Sequence, residues 1–532
     1  METRLTSLFR ILFERLSTKS IWAAAREEMT YHRKRSHLPD VVLVLASVLL
    51  TFSYYGHSHA ESFLFKRSVQ ERFVASIDSS SMIPESFTVS PDGRRVAYVV
   101  KVGNKQAAVV DGVQQKPYDE IKTDYSGLLF SPDSTKIGFF VRENNRWFFV
   151  IDGKEQREHQ PTAHLPFHYS EEGSRYCYVA KTTDKNYLVI DGQVGSRDFE
   201  NIWSCTFSRD GKRSAYGVRE GKKEFWVVDH VKQKEYGVVG SFTFSPDGKR
   251  FAYGAHPDKD WSRRGQRWFM VIDGREEKEY WKILSLRVFS PDSKRTAYAA
   301  EPGTDVMLRP VIVLDGREIK DEVAGFSAPV FSPDSQRIAY MARVYKKGFM
   351  VPTPAPSYDF NVVDGKPGRF YDRTSIPVFS PDSRRVAHYG VLQDQYRMVI
   401  DNKEGKRYDD IGHPVFSPDS KHAGFSARQE KNNFIAVDGR EYNTYEYVSN
   451  PVFSPDSQRV CYVARKSGKR TVVIDDVEGV HYDEIYPRGW RMRVAHNGIG
   501  FSSDVSFYYF AKRGSELIFV QETLETVKDG TR

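Results

Sequence analysis

The chain has few cysteines: Cys177, Cys205 and Cys461 are the only three in 532 residues. Cys177 and Cys461 stand where other copies of a repeated segment have alanine, as in Arg95-Val-Ala-Tyr98. We therefore expect both to be small buried side chains in strands. Three cysteines without paired spacing predict neither a disulfide framework nor a zinc site. A catalytic thiol would also need a suitable histidine context, which the sequence around them does not supply.

The chain also has no large excess of charge of one sign. It carries 78 Lys and Arg against 70 Asp and Glu, a formal net charge of +8, and no dense basic stripe follows the repeat period. This balance indicates a mildly basic surface and excludes a nucleic-acid footprint, so we expect no nucleic-acid partner. With 40% hydrophobic and 14% aromatic residues, the chain has enough apolar surface to form a core.

The N-terminal apolar run from Val41 to Ser53 is shorter than the roughly 20 residues of a spanning helix. His32 to Arg35 precede it as a basic region, and Ser58-His-Ala60 follows it as a small-residue cleavage pattern. This order is typical of a secretory signal peptide. We expect export to the periplasm or cell envelope, with residues 1–60 as the signal and 61–85 as a connecting segment. The alternative is an uncleaved anchor in the inner membrane, the only membrane contact that we expect.

The start of the chain bears on this choice. A signal peptide that began at Met29 would have a conventional length, so Met29 is an alternative start to Met1. If Met1 is the true start, residues 5–25 form an amphipathic helix, which supports the interpretation of the N-terminal segment as an uncleaved membrane anchor.

A motif of the form Phe-Ser-Pro-Asp recurs along the rest of the chain. It places an acidic residue at positions 92, 133, 172, 210, 247, 292, 334, 382, 419, 456 and 504. A second motif, two apolar residues followed by Asp-Gly, alternates with the first, and its aspartates are at 111, 152, 191, 229, 273, 315, 364, 401, 438 and 475. The spacing from the first motif to the second is 19 in seven of ten copies. We call these the first motif and the second motif.

One copy shows what the repeat predicts. Residues 451–454 are a short apolar strand, Pro455-Asp-Ser457 is a turn, and 459–464 are a second strand. Residues 470–474 are a third strand, and the second motif gives a hairpin turn before a fourth. Four strands in about 40 residues, repeated, predict the blades of an all-β propeller.

Eleven copies exceed the usual four to eight blades of one ring. We therefore expect two propellers in tandem, at 86–325 and 326–532, with one large ring as the alternative.

The repeat resembles the WD-like repeats of the TolB type. The residues that carry this resemblance are Phe244-Ser-Pro-Asp-Gly-Lys-Arg250 and their equivalents, and the resemblance covers residues 85 to 532. It implies the propeller fold and leaves the function open.

The sequence has little that indicates chemistry. A Gly-x-Ser-x-Gly elbow is missing, and Gly325-Phe-Ser-Ala-Pro329 is the nearest string to it. Walker-type and dinucleotide-binding loops are missing as well. The motif acids recur in every blade, which favours turn chemistry over metal binding. His159, His164 and His168 make a poor zinc set. We therefore predict no catalytic, cofactor or metal residues.

Two functions remain. The first is a non-catalytic exported scaffold that binds a protein, a peptide or an anionic envelope polymer. The alternative is a propeller enzyme, a lyase or hydrolase with its site in the central channel. Because the first strand reads Pro-Val-Phe-Ser in four of the eleven copies and has no titratable residue beside the motif in most of the others, the scaffold is favoured.

Insertions indicate where a partner would bind. The spacing between the two motifs rises to 26, 23 and 30 in three consecutive copies, and the interval from 475 to 504 is also long. The inserted segments are aromatic and basic, a composition that anchors interfaces. We predict that the first three insertions join second to third strands and that the fourth joins one blade to the next, all on one face. The predicted partner-binding residues are Trp261, Arg263, Arg264, Trp268, Tyr345, Lys346, Lys347, Phe349, Trp490, Arg491 and Arg493.

Overall fold

Each copy of the repeat forms one antiparallel sheet in the computed structural model of the chain. The structure describes residues 65–77, 80–123, 127–161, 167–258, 267–284, 288–302, 310–319, 324–345, 357–486, 499–503 and 505–526. Within these residues all regular structure is β, and eleven sheets follow one another along the chain. We call them blades one to eleven. None of the described residues belongs to a helix long and apolar enough to cross a membrane.

Strand β1 (Phe65–Ser76) precedes the first blade. Blades one to three contain the following strands: β2 (Met82–Val89), β3 (Val96–Val102), β4 (Lys105–Val110) and β5 (Val113–Tyr118); β6 (Glu120–Ile121), β7 (Leu129–Phe130), β8 (Ile137–Glu143), β9 (Arg146–Ile151) and β10 (Lys154–Gln156); β11 (His168–Tyr169), β12 (Tyr176–Lys181), β13 (Asn186–Ile190) and β14 (Gln193–Val194).

Blades four to seven continue the series without a change of pattern. Their strands are β15 (Asn201–Phe207), β16 (Ser214–Glu220), β17 (Lys223–Val228) and β18 (Val231–Lys232); β19 (Val238–Phe244), β20 (Phe251–His256), β21 (Phe269–Ile272) and β22 (Arg275–Glu276); β23 (Lys282–Ile283), β24 (Ala297–Glu301), β25 (Val311–Leu314) and β26 (Arg317–Ile319); β27 (Gly325–Phe326), β28 (Val330–Phe331), β29 (Ile338–Tyr345), β30 (Ser357–Val363) and β31 (Lys366–Pro367).

In blades eight to eleven, as in blades two and seven, the first strand is split into two short parts that pair with the same second strand. The strands are β32 (Arg373–Thr374), β33 (Val378–Phe379), β34 (Val386–Leu392), β35 (Gln395–Ile400) and β36 (Lys403–Tyr408); β37 (Asp410–Ile411), β38 (Val415–Phe416), β39 (Ala423–Gln429), β40 (Asn432–Val437) and β41 (Arg440–Glu441); β42 (Tyr447–Val448), β43 (Val452–Phe453), β44 (Val460–Lys466), β45 (Lys469–Ile474) and β46 (Val477–Tyr482); β47 (Glu484–Tyr486), β48 (Gly500–Phe501), β49 (Ser506–Arg513) and β50 (Glu516–Thr526).

The two motifs form the turns that the sequence predicts. In the second motif both turn residues have positive φ, as in Asp438 (48°) and Gly439 (85°), which is the type I′ geometry of tight hairpins. In the first motif the serine hydroxyl donates to the aspartate two residues on, and accepts from the backbone N–H five residues on. Ser245 makes these contacts with Asp247 (2.6 Å) and Arg250 (2.9 Å). The two turns lie at the same edge of each blade, because the aspartate of the second motif accepts from a backbone N–H just after the first motif, as Asp273 does from Phe251 (3.0 Å).

An arginine just after the first motif ties a blade to the next one in seven blades, and we call it the latch arginine. Arg337 is the clearest example: its Nε donates to Asp364 in the second motif of its own blade (2.8 Å). Its Nη1 donates to the carbonyls of Ser383 (2.9 Å) and Arg384 (2.8 Å) in the first motif of the next blade. The guanidinium also lies over the ring of Phe379, 5.2 Å away. The same contacts are made by Arg95, Arg175, Arg213, Arg250, Arg295 and Arg385.

The position of the latch arginine is not arginine in every blade. In blade two it is taken by Lys136, which donates to the carbonyl of Ser174 (2.7 Å), and in blade nine by His422, which contacts Asp438.

A second repeated contact joins the outer strands. A tyrosine at or after the fourth strand of one blade donates its hydroxyl to a glutamate in the fourth strand of the next blade. Tyr408 bonds Glu441 in this way at 3.0 Å. The other pairs are Tyr118 with Glu155, Tyr236 with Glu276, Tyr280 with Glu318 and Tyr371 with Glu404.

Between the two contacts, apolar side chains fill the space from blade to blade. The second and third strands are buried over most of their length, as in Val460–Lys466, because a neighbouring blade covers each face. One such cluster joins blades one and two, and another joins blades six and seven across the expected boundary near residue 325. Blade eleven in turn packs against blade one, where Phe87 stacks on Tyr486. The described residues from Arg67 to Glu525 thus form one ring of eleven blades, and the expected division into two propellers is not seen in them.

The ring is closed by a strand from the other end of the chain. The sheet of blade eleven has the order β1-β50-β49-β47, so β1 takes the outer position that a fourth strand has in the other blades. Tyr482 donates to Glu71 of β1 (2.6 Å), which repeats the contact between outer strands. Arg67 donates to the buried Glu522 (2.7 Å). The segment expected to connect at 61–85 therefore contains a structural strand of the last blade.

Two of the three cysteines form a disulfide, which corrects the expectation that they form none. Cys177 in the second strand of blade three is bonded to Cys205 in the first strand of blade four, with 6.6 Å between their Cα atoms. Both are buried, as expected for Cys177, and the bond spans two blades that the latch also joins. Cys461 is free and buried. Because the two partners lie in different copies of the repeat, spacing within one copy cannot reveal the pair.

The disulfide predicts a labelling pattern. When the oxidised protein is unfolded with an alkylating reagent, Cys461 alone should react, and all three cysteines should react after reduction; mass spectrometry counts the labels. Cys205→Ala should lower the free energy of unfolding by about 3 kcal/mol, because the bond restricts the unfolded chain. Cys461→Ala is the matched control and should cost less. Labelling of all three cysteines without reduction would contradict the pairing.

Candidate functional site

The carboxylates of the two motifs are engaged in turn bonds. Asp92 accepts from Ser90 Oγ (2.6 Å) and from the N–H of Arg94 (3.1 Å). Asp111 accepts from the N–H of Val96 (2.9 Å) and from the latch arginine. In Asp247 the hydroxyl of Ser245 and a backbone N–H hold the pKa below its ordinary value. Among the described residues, no three His, Cys, Asp or Glu side chains come together as they would around a metal ion.

The described histidines of the predicted poor zinc set are also used locally. His159 lies with one ring nitrogen 3.1 Å from the Tyr187 hydroxyl and the other 3.2 Å from the carbonyl of Gly192. His168 lies in β11, and burial lowers its pKa. His164 lies outside the described residues.

The hairpins that join second to third strands lie at the opposite edge from the motif turns. Most of them are two-residue turns, such as Asn144-Asn145 between β8 and β9. The connection from β12 to β13 has four residues, and the three longest connections run from β20 to β21, from β24 to β25 and from β29 to β30, which places three insertions where the sequence predicts them. Most of the predicted partner-binding residues, however, lie outside the described residues: Trp261, Arg263, Arg264, Lys346, Lys347, Phe349, Trp490, Arg491 and Arg493.

Two of the predicted residues are described. Trp268 forms a β-bridge with Tyr280, and its ring lies 5.4 Å from that of the buried His256. Tyr345 ends β29 and is 57% exposed. Each stands at the base of a different long hairpin, so the described residues do not bring them together.

The fourth insertion is placed differently from the prediction. Strand β47 already pairs with β49 of blade eleven, and residues 487–498 follow it. This insertion therefore interrupts the first strand of blade eleven, between β47 and β48, instead of joining two blades. The reason is that the first strand is split, which the spacing between motifs does not reveal.

One blade interface departs from the apolar pattern, and sequence reasoning missed it. In the second strand, eight blades have a tyrosine and two have a phenylalanine at the position that His388 occupies in blade eight. In the third strand, Arg397 stands where Phe225, Phe269 and Phe434 stand in other blades. All of these side chains are buried. A comparison of the copies, position by position, would have found the two exceptions.

A hydrogen-bonded network surrounds His388. Thr374 donates its hydroxyl hydrogen to the carbonyl of Tyr389 (2.6 Å). Its oxygen lies 2.9 Å from Nδ1 of His388 and also accepts from Asn361 Nδ2 (3.1 Å). Asn361 comes from blade seven, at a position filled by Leu188, Met270 or Ile312 in other blades. Polar groups thus replace part of the apolar core between blades seven and eight.

Charged groups lie on the other side of the imidazole. Glu404 accepts from the Tyr371 hydroxyl (2.8 Å) and pairs with Arg369 (2.9 Å). Arg397 is 8% exposed, and its Nη1 has no hydrogen-bond partner. Burial lowers the pKa of His388 to about 4, which keeps the imidazole neutral. Burial, together with the bond to Glu404, raises the pKa of Tyr371.

Comparisons with known proteins address the fold alone. No family model matches the sequence, and no curated protein matches it. The chain is similar in structure to a eukaryotic initiation factor, with 11% identity, a TM-score of 0.36, and coverage of 81% of this chain and 100% of that one. It is also similar to TolB from Acinetobacter baumannii (13% identity, TM-score 0.22, coverage 60% and 79%). A third similar structure is the β-propeller domain of the Trilobed protease from Pyrococcus furiosus (15%, 0.24, 58% and 94%).

These similarities include propellers, TolB among them, while no match assigns the repeat to a particular family. At such low identity and TM-score, they say nothing about activity. The propeller fold itself is shown by the eleven blade sheets in the described residues.

The buried imidazole predicts a specific dependence of stability on pH. Between pH 6.5 and about 4 the unfolded chain binds a proton at His388 and the folded chain does not, so stability falls as pH falls through this window. His388→Phe removes this contribution. The difference in free energy of unfolding between wild type and variant should change by about 2 kcal/mol from pH 7.5 to 5, measured by denaturant titration. Parallel pH profiles would contradict the neutral, buried imidazole.

Proposed function

We propose that the protein is an exported, non-catalytic propeller scaffold. It binds a protein, a peptide or an anionic envelope polymer through the hairpins between second and third strands. The observation that carries the proposal is the difference between the two edges of the blades. The motif turns at one edge keep a constant form and are engaged in latches. The hairpins at the other edge vary in length.

This difference separates structure from recognition. A turn that must accept from the latch arginine of the preceding blade cannot change without loosening the ring. A hairpin at the opposite edge has no such constraint, and functional residues often lie on loops that a rigid framework holds. Insertions at β20–β21, β24–β25 and β29–β30 fall in three consecutive blades, so they favour one continuous binding area over scattered drift.

The chemistry of the insertions supports an acidic partner. The residues predicted to bind are tryptophan, tyrosine, phenylalanine, arginine and lysine, and the whole chain has a net charge of +8. Aromatic and arginine side chains supply the anchors of interfaces, and basic ones select partners of negative charge. Trp268 and Tyr345, at the bases of two hairpins, keep aromatic surface at this edge.

Two observations support export. The N-terminal segment has the order of a secretory signal, although residues 1–60 lie outside the described residues. The Cys177–Cys205 disulfide joins two blades, and such bonds persist in oxidising compartments outside the cytoplasm.

Shortened hairpins test the proposal. Deletion within 257–266 and 346–356, to the length of the other hairpins, should leave the unfolding midpoint nearly unchanged, because the motif turns and latches stay intact. Affinity capture from the cell envelope, read by mass spectrometry, should recover the same partner with the wild type and lose it with the trimmed chain.

A control at the opposite edge makes the result specific. Lys212→Ala and Lys249→Ala remove side chains that are 82% and 83% exposed in first-motif turns, and both should leave capture unchanged. Capture that survives trimming would refute the binding edge. Turnover of a small molecule by the purified chain, with no partner recovered, would favour the propeller enzyme.

A further inference from the structure

A pocket opens at the interface of blades seven and eight, where His388 replaces the usual tyrosine. Its volume is about 270 Å³, and it is lined by Arg369, Tyr371, His388, Val399, Asn402 and Glu404. Its lining includes Asn402 of a second-motif turn, at the edge opposite the long hairpins, and the pocket does not depend on the partner proposed for them.

Other blades show what normally fills this place. In blade ten, Tyr462 lies edge-on to Tyr445, and its hydroxyl reaches Asp476 in the second-motif turn, 3.4 Å away. His388 lies edge-on to Tyr371 in the same way, with ring centroids 6.0 Å apart. An imidazole is shorter than a phenol, however, and the space towards the turn residue Asn402 stays open. The pocket therefore results from a change at one position of a repeated framework.

The hydrogen bonds fix which atoms face the pocket as acceptors. Thr374 donates its only hydroxyl hydrogen to the carbonyl of Tyr389. The Thr374 oxygen must therefore accept from Nδ1–H of His388. The neutral imidazole then has its lone pair on Nε2, an acceptor. Glu404 adds carboxylate oxygens, while Arg369 adds N–H donors and Asn402 an amide that both donates and accepts. Acceptors and donors thus line the same small space.

The charges of the lining groups exclude most other ligands. Arg369 and Glu404 are paired at 2.9 Å, so the lining has no net charge. A ligand anion would meet the Glu404 carboxylate, and a cation would meet the Arg369 guanidinium. A ligand hydroxyl both donates and accepts a hydrogen bond at its oxygen, so it suits a lining that contains both donors and acceptors. Tyr371 and Val399 are also in the lining but are only 1% and 3% exposed, so the apolar area left for ring carbons is small.

We propose that this pocket binds one neutral six-membered sugar ring, free or at the end of a glycan. Hydroxyl groups of the ring donate to Nε2 of His388 and to Glu404, and they accept from Arg369 and Asn402. Arg397 and Asn361 stand behind the lining as positioning residues: Arg397 has its Nε 3.8 Å from Glu404, and Asn361 donates to the Thr374 that orients His388. Buried polar groups at positions that other blades fill with apolar residues are costly, and an occupant of the pocket explains their retention here.

The test is saturation-transfer NMR on the folded chain with a panel of neutral hexopyranoses, glucuronate and phenol as probes. At least one neutral hexopyranose should receive saturation from the protein and be displaced by an excess of another. Glucuronate should give a weaker signal because of its charge. Phenol is included because it resembles the missing tyrosine side chain, and binding of phenol without any hexopyranose would overturn the proposal.

The repeat supplies variants that should fold. His388→Tyr restores the residue of the other blades, fills the pocket, and should abolish the sugar signal while keeping or raising the unfolding midpoint. Phe425→Tyr, at the same position of blade nine, is the matched control and should leave the signal unchanged. A sugar signal that persists in His388→Tyr, or absence of a signal from every hexopyranose with the wild type, would refute the site. If His388→Tyr fails to fold, Asn402→Gly should weaken the signal instead, since it removes a lining amide at a turn position that is glycine in most blades.

Discussion

The contact between a latch arginine and two turns is the interaction on which the ring depends. A four-stranded meander cannot bury both of its faces alone, so each blade needs a neighbour in a fixed position. Arg337 shows how this position is set, because one guanidinium binds the Asp364 carboxylate of its own blade and two carbonyls of the next. Its planar fork suits this arrangement, whereas Lys136, at the same position of blade two, donates to one carbonyl of the next blade, that of Ser174. The aspartate, in turn, is held at positive φ in a type I′ turn by a backbone N–H bond to its carboxylate.

The need of each blade for a neighbour in a fixed position also explains how the ring closes. In the described residues no fourth strand follows β50 in the last blade, and β1 takes that position in the sheet. Glu71 of β1 then accepts from Tyr482 just as Glu441 accepts from Tyr408. Arg513 also pairs with Glu71 and lowers the pKa of its carboxyl, which favours the charged form in this contact. Strand β1 thus completes the last blade, although it contains neither the first nor the second motif.

Much of this fold could be predicted from the sequence, because turn chemistry and strand pattern repeat locally. Asp-Gly and Ser-Pro-Asp predict their turns wherever they occur, and the apolar runs between them predict buried strands. Features that join distant segments could not be predicted in this way: β1 has no motif, and Cys177 and Cys205 lie in different copies. The predicted binding residues were chosen from insertions, and only Trp268 and Tyr345 fall within the described residues. His388 could not be predicted from the residues that the copies share, because it is an exception to them.

A repeated latch also lets one interface carry a different function. Because the arginine and tyrosine contacts hold blades seven and eight at both ends, the core between them can include Asn361, Thr374 and His388 without loss of position. The polar network is anchored on two backbone carbonyls, because Thr374 donates to Tyr389 and Asn361 donates to Ser375. The repeated contacts and the polar substitutions at one interface together account for both the stability of the ring and the location of the pocket.

Hydrogen exchange of Arg337→Ala, read by mass spectrometry, tests the role of the latch most directly. Charge-assisted bonds of this kind stabilise by about 1.5–3 kcal/mol, so amides of β29, β30 and β34 should exchange roughly ten to a hundred times faster, while other blades are unchanged. Arg384→Ala is the control, because it removes an exposed side chain in the blade-eight turn that Arg337 contacts. Its amides should exchange like those of the wild type. Unchanged exchange in blades seven and eight of Arg337→Ala would contradict the claim that the latch holds the blades together.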